Sequence, residues 1–553
     1  MPVTHEVVNQ VPPNVEWDVL GADLVLTGAL ERHVGPGAAE RLGDLGRLAG
    51  TALARTWGEQ AEAYPPVLRT HDPRGERVDE VDYHPAYHQL LRTGVEHGLA
   101  GAPWAAPPGT GAHATRAAGF LVWSQVDAGH GCPLSMTYAA VPALRTDPEI
   151  ARIWEHRLTA TDYEVGLRVP AGKRGVLAGM GMTEKQGGSD VRANTTQAVA
   201  AADGPVEGGQ TYRLTGHKWF CSAPMSDLFL VLAQAPGGVT CFIVPRVLTD
   251  GTRNTWRLQR LKDKLGNRSN ASSEVELDGT WGVRLGEEGR GVRTILEMVS
   301  ATRLDCVVGS AATMRAALVA AVHHARHRTV FGRALVDQPL MQNVLADLAL
   351  ESEAATTLGI RLAAAVDDGE TEFARLAVAL GKYWVCKRTP SMVAEALECL
   401  GGNGYVEENG LARLYREAPL NSIWEGSGNV NALDVVRALT RAPESLEALL
   451  AELEKARGAH RRLDAALDDV TATVRAAASE ADADPTSVAM GARWLVERVA
   501  VVLQATLLAR FAPAAVSDTF LAARVQQRGG MVFGTLPVGA PTAREIIQRA
   551  LPV

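Results

Sequence analysis

The spacing of apolar residues divides the chain into three kinds of territory. From residue 1 to about 178, apolar positions recur at helical intervals, and Asp23–Arg32, Ala38–Ala63 and Tyr87–Leu99 each predict an amphipathic helix. Pro103, Pro107 and Pro108 predict a loop over Gly101–Gly111. Near Val176 the apolar runs shorten and gain β-branched residues. Leu228–Leu232, Thr240–Val244 and Val275–Leu277, separated by Gly, Asn and Asp clusters, predict an antiparallel β domain ending near Gly286, with a hairpin turn at Asp203–Gly209. After Gly291 long helical patterns return in Thr294–Arg328, Gln338–Asp367 and Glu372–Leu400, as in a helix bundle. A turn at Gly401-Gly402-Asn403-Gly404 ends the third, and a fourth helix runs from near Gly426 to Thr440. Pro443 interrupts the pattern, and a further helical segment follows to residue 553.

Composition narrows this picture. At 553 residues the chain exceeds one core, so several domains are expected. A net charge of -8 gives no overall signal for nucleic acid or membrane. Six scattered cysteines without a Cys-x-x-Cys pair predict buried thiols rather than a zinc site or disulfide framework. The start, Met1-Pro2-Val3-Thr4-His5-Glu6, lacks the pattern of a signal peptide. Val499–Ala509 and Cys306–Val322 read as buried helices, and a cytoplasmic protein without a membrane partner or bound metal is expected.

The residues that carry chemistry fall into five ordered motifs. Met182-Thr183-Glu184-Lys185-Gln186-Gly187-Gly188-Ser189-Asp190 packs hydroxyls, adjacent glycines and backbone N–H groups into one turn. Such a turn suits close approach to a flat polar ring or a phosphate, although an ordinary surface turn has the same composition. It is followed by Trp219-Phe220-Cys221-Ser222, Arg328–Gly332, Gly401–Tyr405 and Ile423-Trp424-Glu425-Gly426-Ser427-Gly428-Asn429.

In this order and rough spacing the motifs resemble those of the acyl-CoA dehydrogenase flavoproteins, over residues 115 to 440. The fuller wording of Gly179–Arg192 and Asn421–Asn431 resembles the AidB branch, which is tied to the adaptive response to DNA alkylation and carries an extra C-terminal helical domain. The resemblance implies an α+β, mostly α fold: an N-terminal helical domain (1–178), a middle antiparallel β domain (179–290), a C-terminal four-helix bundle (291–440) and an appended helical domain (441–553). It also implies bound FAD and a homotetramer. Met182, Thr183, Gly188, Ser189, Phe220, Cys221 and Ser222 would line the flavin ring and pyrophosphate. Arg328, Phe331 and, more loosely, Gln338 would reach the adenosine diphosphate half of FAD in a neighbouring subunit. Gly401 and Gly402 would approach its adenine end, and Ile423, Trp424, Ser427 and Asn429 would complete the site.

By the same resemblance Glu425 is the base that removes the α-proton of an acyl thioester. The alternative position, just before Arg303, holds Thr302. Trp424 stands where the family usually has tyrosine, and its bulk should narrow an acyl channel. Poor activity on common acyl-CoAs is therefore expected. Arg437 either turns inward to pair with Glu425 or faces solvent.

Residues 441–553 carry thirteen basic and thirteen acidic residues, so non-specific contact with double-stranded DNA needs charge gathered on one face. Arg461, Arg462, Arg493 and Arg498 are the residues proposed for that role. Three readings stay open: a DNA-associated AidB-type flavoprotein with weak dehydrogenase chemistry, a true acyl-CoA dehydrogenase with an unusual substrate, and a scaffold in which FAD is only structural.

Overall fold

The computed structural model describes residues 4–202, 204–481 and 483–551, organised as two compact units. One unit comprises 53–112 and 126–305, the other 1–52, 113–125 and 306–553.

The first unit is built on a seven-stranded sheet. Its strands follow a two-stranded hairpin, β1 (Val67–His71) and β2 (Arg77–Asp82), which lies in territory expected to be helical. Short alternating runs such as Arg77-Val78-Asp79-Glu80-Val81-Asp82 fit a half-buried strand, and Val81 joins the β core. The sheet strands are β3 (Ala178–Gly181), β4 (Gln197–Ala200), β5 (Thr211–Ser222), β6 (Leu228–Ala235), β7 (Gly238–Pro245), β8 (Trp256–Leu261) and β9 (Ser272–Leu285). The pairings β4–β5, β5–β9, β9–β7, β7–β6 and β6–β4 close a ring, with β3 added beside β6 and β8 beside β9. The sheet is not purely antiparallel, because β3 runs parallel to β6 and β4 meets β6 in parallel at Gln197 and Gln234.

Its interior is filled by Tyr212, Leu214, Phe229, Val231, Phe242, Val244 and Trp256, with Phe229 stacked on Trp256 at 4.3 Å. β6 is apolar and buried on both faces, as its unbroken Leu228–Leu232 run predicts. The β4–β5 connection is a hairpin, although Asp203, where its turn was expected to start, lies outside the described residues, as do Met1, Pro2 and Val3.

The second unit is helical. Its principal helices are α1 (Leu24–His33), α2 (Gly291–His327, entering this unit from Cys306), α3 (Pro339–Asp367), α4 (Thr371–Glu398), α5 (Gly428–Arg441), α6 (Pro443–Glu454), α7 (Arg461–Glu480), α8 (Pro485–Phe511) and α9 (Ala540–Ala550). Pro339 and Pro485 sit at the first helical position, where the missing N–H costs nothing, and Asp484 caps α8 by accepting from the Ser487 N–H at 2.9 Å.

The described residues of 441–551 fall in the same compact unit as the bundle helices. α8 packs on α3, α4 and α5, α6 on α4, and α9 on α3. Buried ion pairs reinforce this: Arg361 of α3 with Glu452 of α6 (2.8 Å), Arg549 of α9 with Glu353 of α3 (2.9 Å), and Arg524 with Asp347 and Glu351 of α3. All six cysteines are buried thiols. α2 is long and apolar enough to cross a membrane, but 78% of its most apolar stretch is buried.

Candidate active site

In the β unit, the loop after β3 is held from beneath by a carboxylate. Glu184 and Lys218 pair at 2.7 Å with both side chains fully buried. Glu184 also accepts from the backbone N–H and hydroxyl of Thr195 (2.7 and 2.9 Å) and of Thr196 (3.1 and 2.6 Å), and from Gln186 Nε2 (2.8 Å). Burial alone would raise the Glu184 pKa, but Lys218 and these donors hold it far below the usual carboxylate range. Glu184 is thus an anchor, which pins the loop so that Thr183, Gly188 and Ser189 stay at the surface. A Cβ on Gly188 would lie 2.5 Å from Thr183 Oγ1, so any other residue there would push the Thr183 side chain aside. Among the described residues, the backbone N–H groups of Gly188 and Ser189 make no hydrogen bond.

The loop meets the end of β5. The Trp219 N–H donates to the Thr183 carbonyl (2.9 Å), the Lys185 N–H to His217 Nε2 (3.0 Å), and Asn194 Nδ2 to the Met182 carbonyl (2.9 Å). The β5–β9 ladder slips between Lys218 and Cys221, leaving Trp219 and Phe220 on a bulge. The bulge turns Phe220 outward, 52% exposed, with Lys262 Nζ 3.2 Å from the Trp219 ring and 4.7 Å from Phe220. Ser222 Oγ lies 3.0 Å from Ser272 Oγ. Cys221 differs from its neighbours: its thiol lies wholly inside the β core, where burial pushes it up to about 12. Only its backbone can face a ligand, because strand alternation sends its side chain inward.

Free N–H donors, two hydroxyls and an exposed aromatic wall on one pinned loop and strand end fit the polar edge and flat face of a flavin ring.

In the helical unit, Arg328 ends α2 and opens a hairpin, β10 (Thr329–Val330) and β11 (Arg333–Ala334). Its tip, Phe331-Gly332, has φ of 52° and 77°, the two positive values of a tight hairpin turn. Phe331 is 95% exposed there. Arg328 Nη1 donates to the Asn9 carbonyl (2.5 Å), and Asn9 brackets Thr329 by two further hydrogen bonds. Gln338 immediately precedes α3 and spends its amide N–H on the Val330 carbonyl (3.1 Å), so it serves first to brace the hairpin. Gly401 has φ of 60°, and a Cβ on Gly401 or Gly402 would meet nothing within 4 Å, which leaves open space beside their backbone.

The segment before α5 carries Glu425. Its φ of 58° is rare for a residue with a Cβ. Trp424 Nε1 donates to Asn421 Oδ1 (2.9 Å), and Asn421 Nδ2 in turn to Ser310 Oγ (3.1 Å), which locks the indole. Lys382 of α4 donates to the Trp424 carbonyl (2.8 Å) and to the Gly426 carbonyl, and Asn431 Nδ2 to the Gly426 carbonyl (2.7 Å). Ile423, Ser427 and Asn429 are exposed, and Ser427 does not cap α5. Arg437 points outward, 61% exposed and 4.0 Å from Asp434.

Sequence reasoning missed Glu184 and Lys382. Glu184 sits inside a motif yet acts on backbone behind it, and Lys382 lies in a helix far along the chain. The weak signal for both is a charged residue at a position whose neighbours are apolar or whose turn is tight. Of the four arginines expected to meet DNA, Arg461 and Arg462 are exposed, Arg493 donates to the Tyr383 hydroxyl (3.1 Å), and Arg498 is neutralised by Asp469 at 2.7 Å.

Three family models match the chain: the AidB N-terminal domain over residues 9–165, the acyl-CoA dehydrogenase middle domain over 179–280 and its C-terminal domain over 289–440. The putative acyl-CoA dehydrogenase AidB of Escherichia coli is 46% identical over 485 residues, covering 86% of this chain and 88% of that protein. The acyl-CoA dehydrogenase family member 11 of Caenorhabditis elegans is 32% identical over 402 residues, covering 69% of this chain and 64% of that one. The crystal structure of Caenorhabditis elegans ACDH-11 in complex with C11-CoA superposes with a TM-score of 0.84 at 26% identity, covering 99% and 98% of the two chains. A glutaryl-CoA dehydrogenase from Mycobacterium smegmatis in complex with FADH2 shares the fold, with a TM-score of 0.57 at 21% identity over 74% of this chain and 96% of that one. With the AidB N-terminal domain preceding both dehydrogenase domains, this chain belongs to the AidB-like acyl-CoA dehydrogenases, a family of FAD-dependent oxidoreductases.

Proposed function

We propose that this chain binds FAD and oxidises a narrow class of acyl thioesters, with Glu425 as the base. When bound, FAD supplies the acceptor for the hydride that leaves the thioester β-carbon. Thr183, Ser189 and the free N–H groups of Gly188 and Ser189 would hold the cofactor's polar edge, with Met182, Phe220, the Cys221 backbone and Ser222 beside it. Arg328, Phe331, Gln338, Gly401 and Gly402 would hold the adenosine diphosphate half in a second copy of the chain, which calls for an oligomer, a homotetramer by the family resemblance. Ile423, Trp424, Ser427 and Asn429 would border the site. Glu425 takes the α-proton onto its carboxylate. The observation that carries this reading is a glutamate whose backbone is fixed on a turn between a locked indole and a clamped glycine.

The locked Trp424 indole would limit the acyl channel. Anaerobic addition of butyryl-CoA or C11-CoA to the FAD-loaded protein is expected to bleach the flavin band slowly. Trp424→Tyr should accelerate bleaching by C11-CoA by about tenfold, the scale on which pocket volume discriminates apolar groups. An unchanged rate would remove the indole from substrate selection, and a protein unable to take up FAD would end the flavoprotein reading.

A role at DNA in the alkylation response draws its support from Arg461 and Arg462. Both are exposed in the first turn of α7, carry no acidic partner among the described residues, and oppose the helix dipole there. Two cations kept at an unfavourable helix end suit phosphate contact, whereas Arg493 is engaged by the Tyr383 hydroxyl and Arg498 is withdrawn by Asp469. Replacing Arg461 and Arg462 by Ser should reduce the salt dependence of duplex binding, read by fluorescence anisotropy, by a log–log slope of about 1.8. An unaltered slope would place any DNA contact elsewhere.

A further inference from the structure

Lys382 lies within α4 and is 1% exposed. An ammonium buried this deeply is costly unless its N–H groups find acceptors, and a methionine would fill the same volume without that cost. Its acceptors are two backbone carbonyls, those of Trp424 at 2.8 Å and of Gly426. No carboxylate among the described residues lies within ion-pair distance of its Nζ in this unit.

The two carbonyls flank Glu425. The Trp424 carbonyl belongs to the peptide group whose orientation sets the Glu425 φ, and Asn431 Nδ2 grips the Gly426 carbonyl a second time at 2.7 Å. The φ of 58° at Glu425 is strained for a residue with a Cβ, so something must hold it. One ammonium bonded on both sides of the residue does so, because the chain cannot relax to negative φ without breaking a charge-assisted hydrogen bond in a dry site.

We propose that Lys382 is a positioning residue: it fixes the left-handed turn that aims the Glu425 carboxylate at the acyl α-carbon. This rests on the reading of Glu425 as the base.

The test is stopped-flow reduction of the FAD-loaded full-length protein by butyryl-CoA and C11-CoA, with FAD content and the thermal midpoint measured alongside. Lys382→Met is expected to lower the limiting rate about 100-fold while changing the half-saturating acyl-CoA concentration less than threefold, as misplacement of a base by about 1 Å would. Because Lys382 acts only through Glu425, Lys382→Met should leave the residual rate of a Glu425→Gln protein unchanged. Should Lys382→Met not fold, Lys382→Gln, which keeps one donor, carries the same comparison. A wild-type limiting rate in the lysine variant overturns the proposal, as does an equal further loss in the Glu425→Gln background. If Glu425→Gln itself reacts at the wild-type rate, or neither thioester bleaches the wild-type flavin, the base reading falls and takes the positioning role with it. A slow Glu425→Gln beside a fast Lys382→Met sinks the positioning role alone.

Discussion

Replacing Glu425 by Gln should slow flavin reduction by an acyl thioester by about 10³-fold, within the span of roughly 10²–10⁴ that a general base contributes. The substitution keeps the size of the side chain and, having a Cβ like glutamate, costs the same at a φ of 58°. The Lys382 and Asn431 clamp on the flanking carbonyls is untouched. FAD content and melting temperature are therefore expected to stay at wild-type values while the rate falls. No second carboxylate stands ready at the alternative position in α2, where Thr302 precedes Arg303 and turns its hydroxyl back onto the Val299 carbonyl at 3.1 Å. Rapid-scan spectroscopy of the anaerobic mixture reads the rate directly, and a Glu425→Gln protein as fast as wild type would discard the proton-abstraction role.

The second large effect is on stability. Glu452 of α6 is 2% exposed and accepts from Arg361 Nε and Nη2 (3.1 and 2.8 Å), Arg510 at 2.9 Å and Lys455 at 2.7 Å. Burial would raise its pKa, but Arg361 and Lys455 outweigh burial and bring it from 4.5 down to about 2. Glu351, buried on α3, reaches about 2 in the same way, with Arg388 and Arg524 outweighing burial.

Glu452→Gln would leave the buried Arg361 with Glu370 (2.5 Å) as its remaining carboxylate and would take one from Arg510 and Lys455, a change that costs about 3 kcal/mol, the low end for breaking a buried pair. The denaturation midpoint of the helical unit should drop accordingly. pH enters with a definite sign. Both carboxyls bind protons more weakly folded than unfolded, so their stabilisation is complete above pH 4.5 and is lost as pH falls towards 2. Each contributes about 3 kcal/mol over that window, and Glu452→Gln should flatten the acid limb of the stability curve. An acid limb identical to wild type would show that the network is not what acid breaks.

The same network bears on how the C-terminal segment is studied. With Arg361 tied to Glu452, Glu353 to Arg549 and Glu351 to Arg524, cutting the chain near residue 440 would remove several of α3's counter-charges, leaving Glu370 on Arg361 and Arg388 on Glu351. DNA contact is better tested by surface changes at Arg461 and Arg462 than by truncation.

Much of the architecture is legible in the pattern of apolar residues. The long helices α2, α3 and α4 and the strands β6 and β7 lie where periodicity and β-branched runs place them, because each buries a continuous apolar face. The β1–β2 hairpin escapes that reading: it is short, half-polar, and held by packing against β8, which local sequence does not encode. The motifs are visible as motifs, and glycine at 401 follows from a positive φ, whereas glycine at 188 follows from its contact with the Thr183 side chain.

By itself, then, the sequence determined the helix–sheet–helix order, the family and the residue types from which a flavin and thioester site can be built. Only the tertiary structure decided which of them act at a surface and which behind it. It sent the Cys221 thiol into the core, turned Arg437 outward, withdrew Arg498 to Asp469, and set Lys382 and Glu184 as buried anchors for Glu425 and the glycine turn. The physical reason is that a charge's effect depends on burial and on partners tens of residues away, and neither is a local property of the chain.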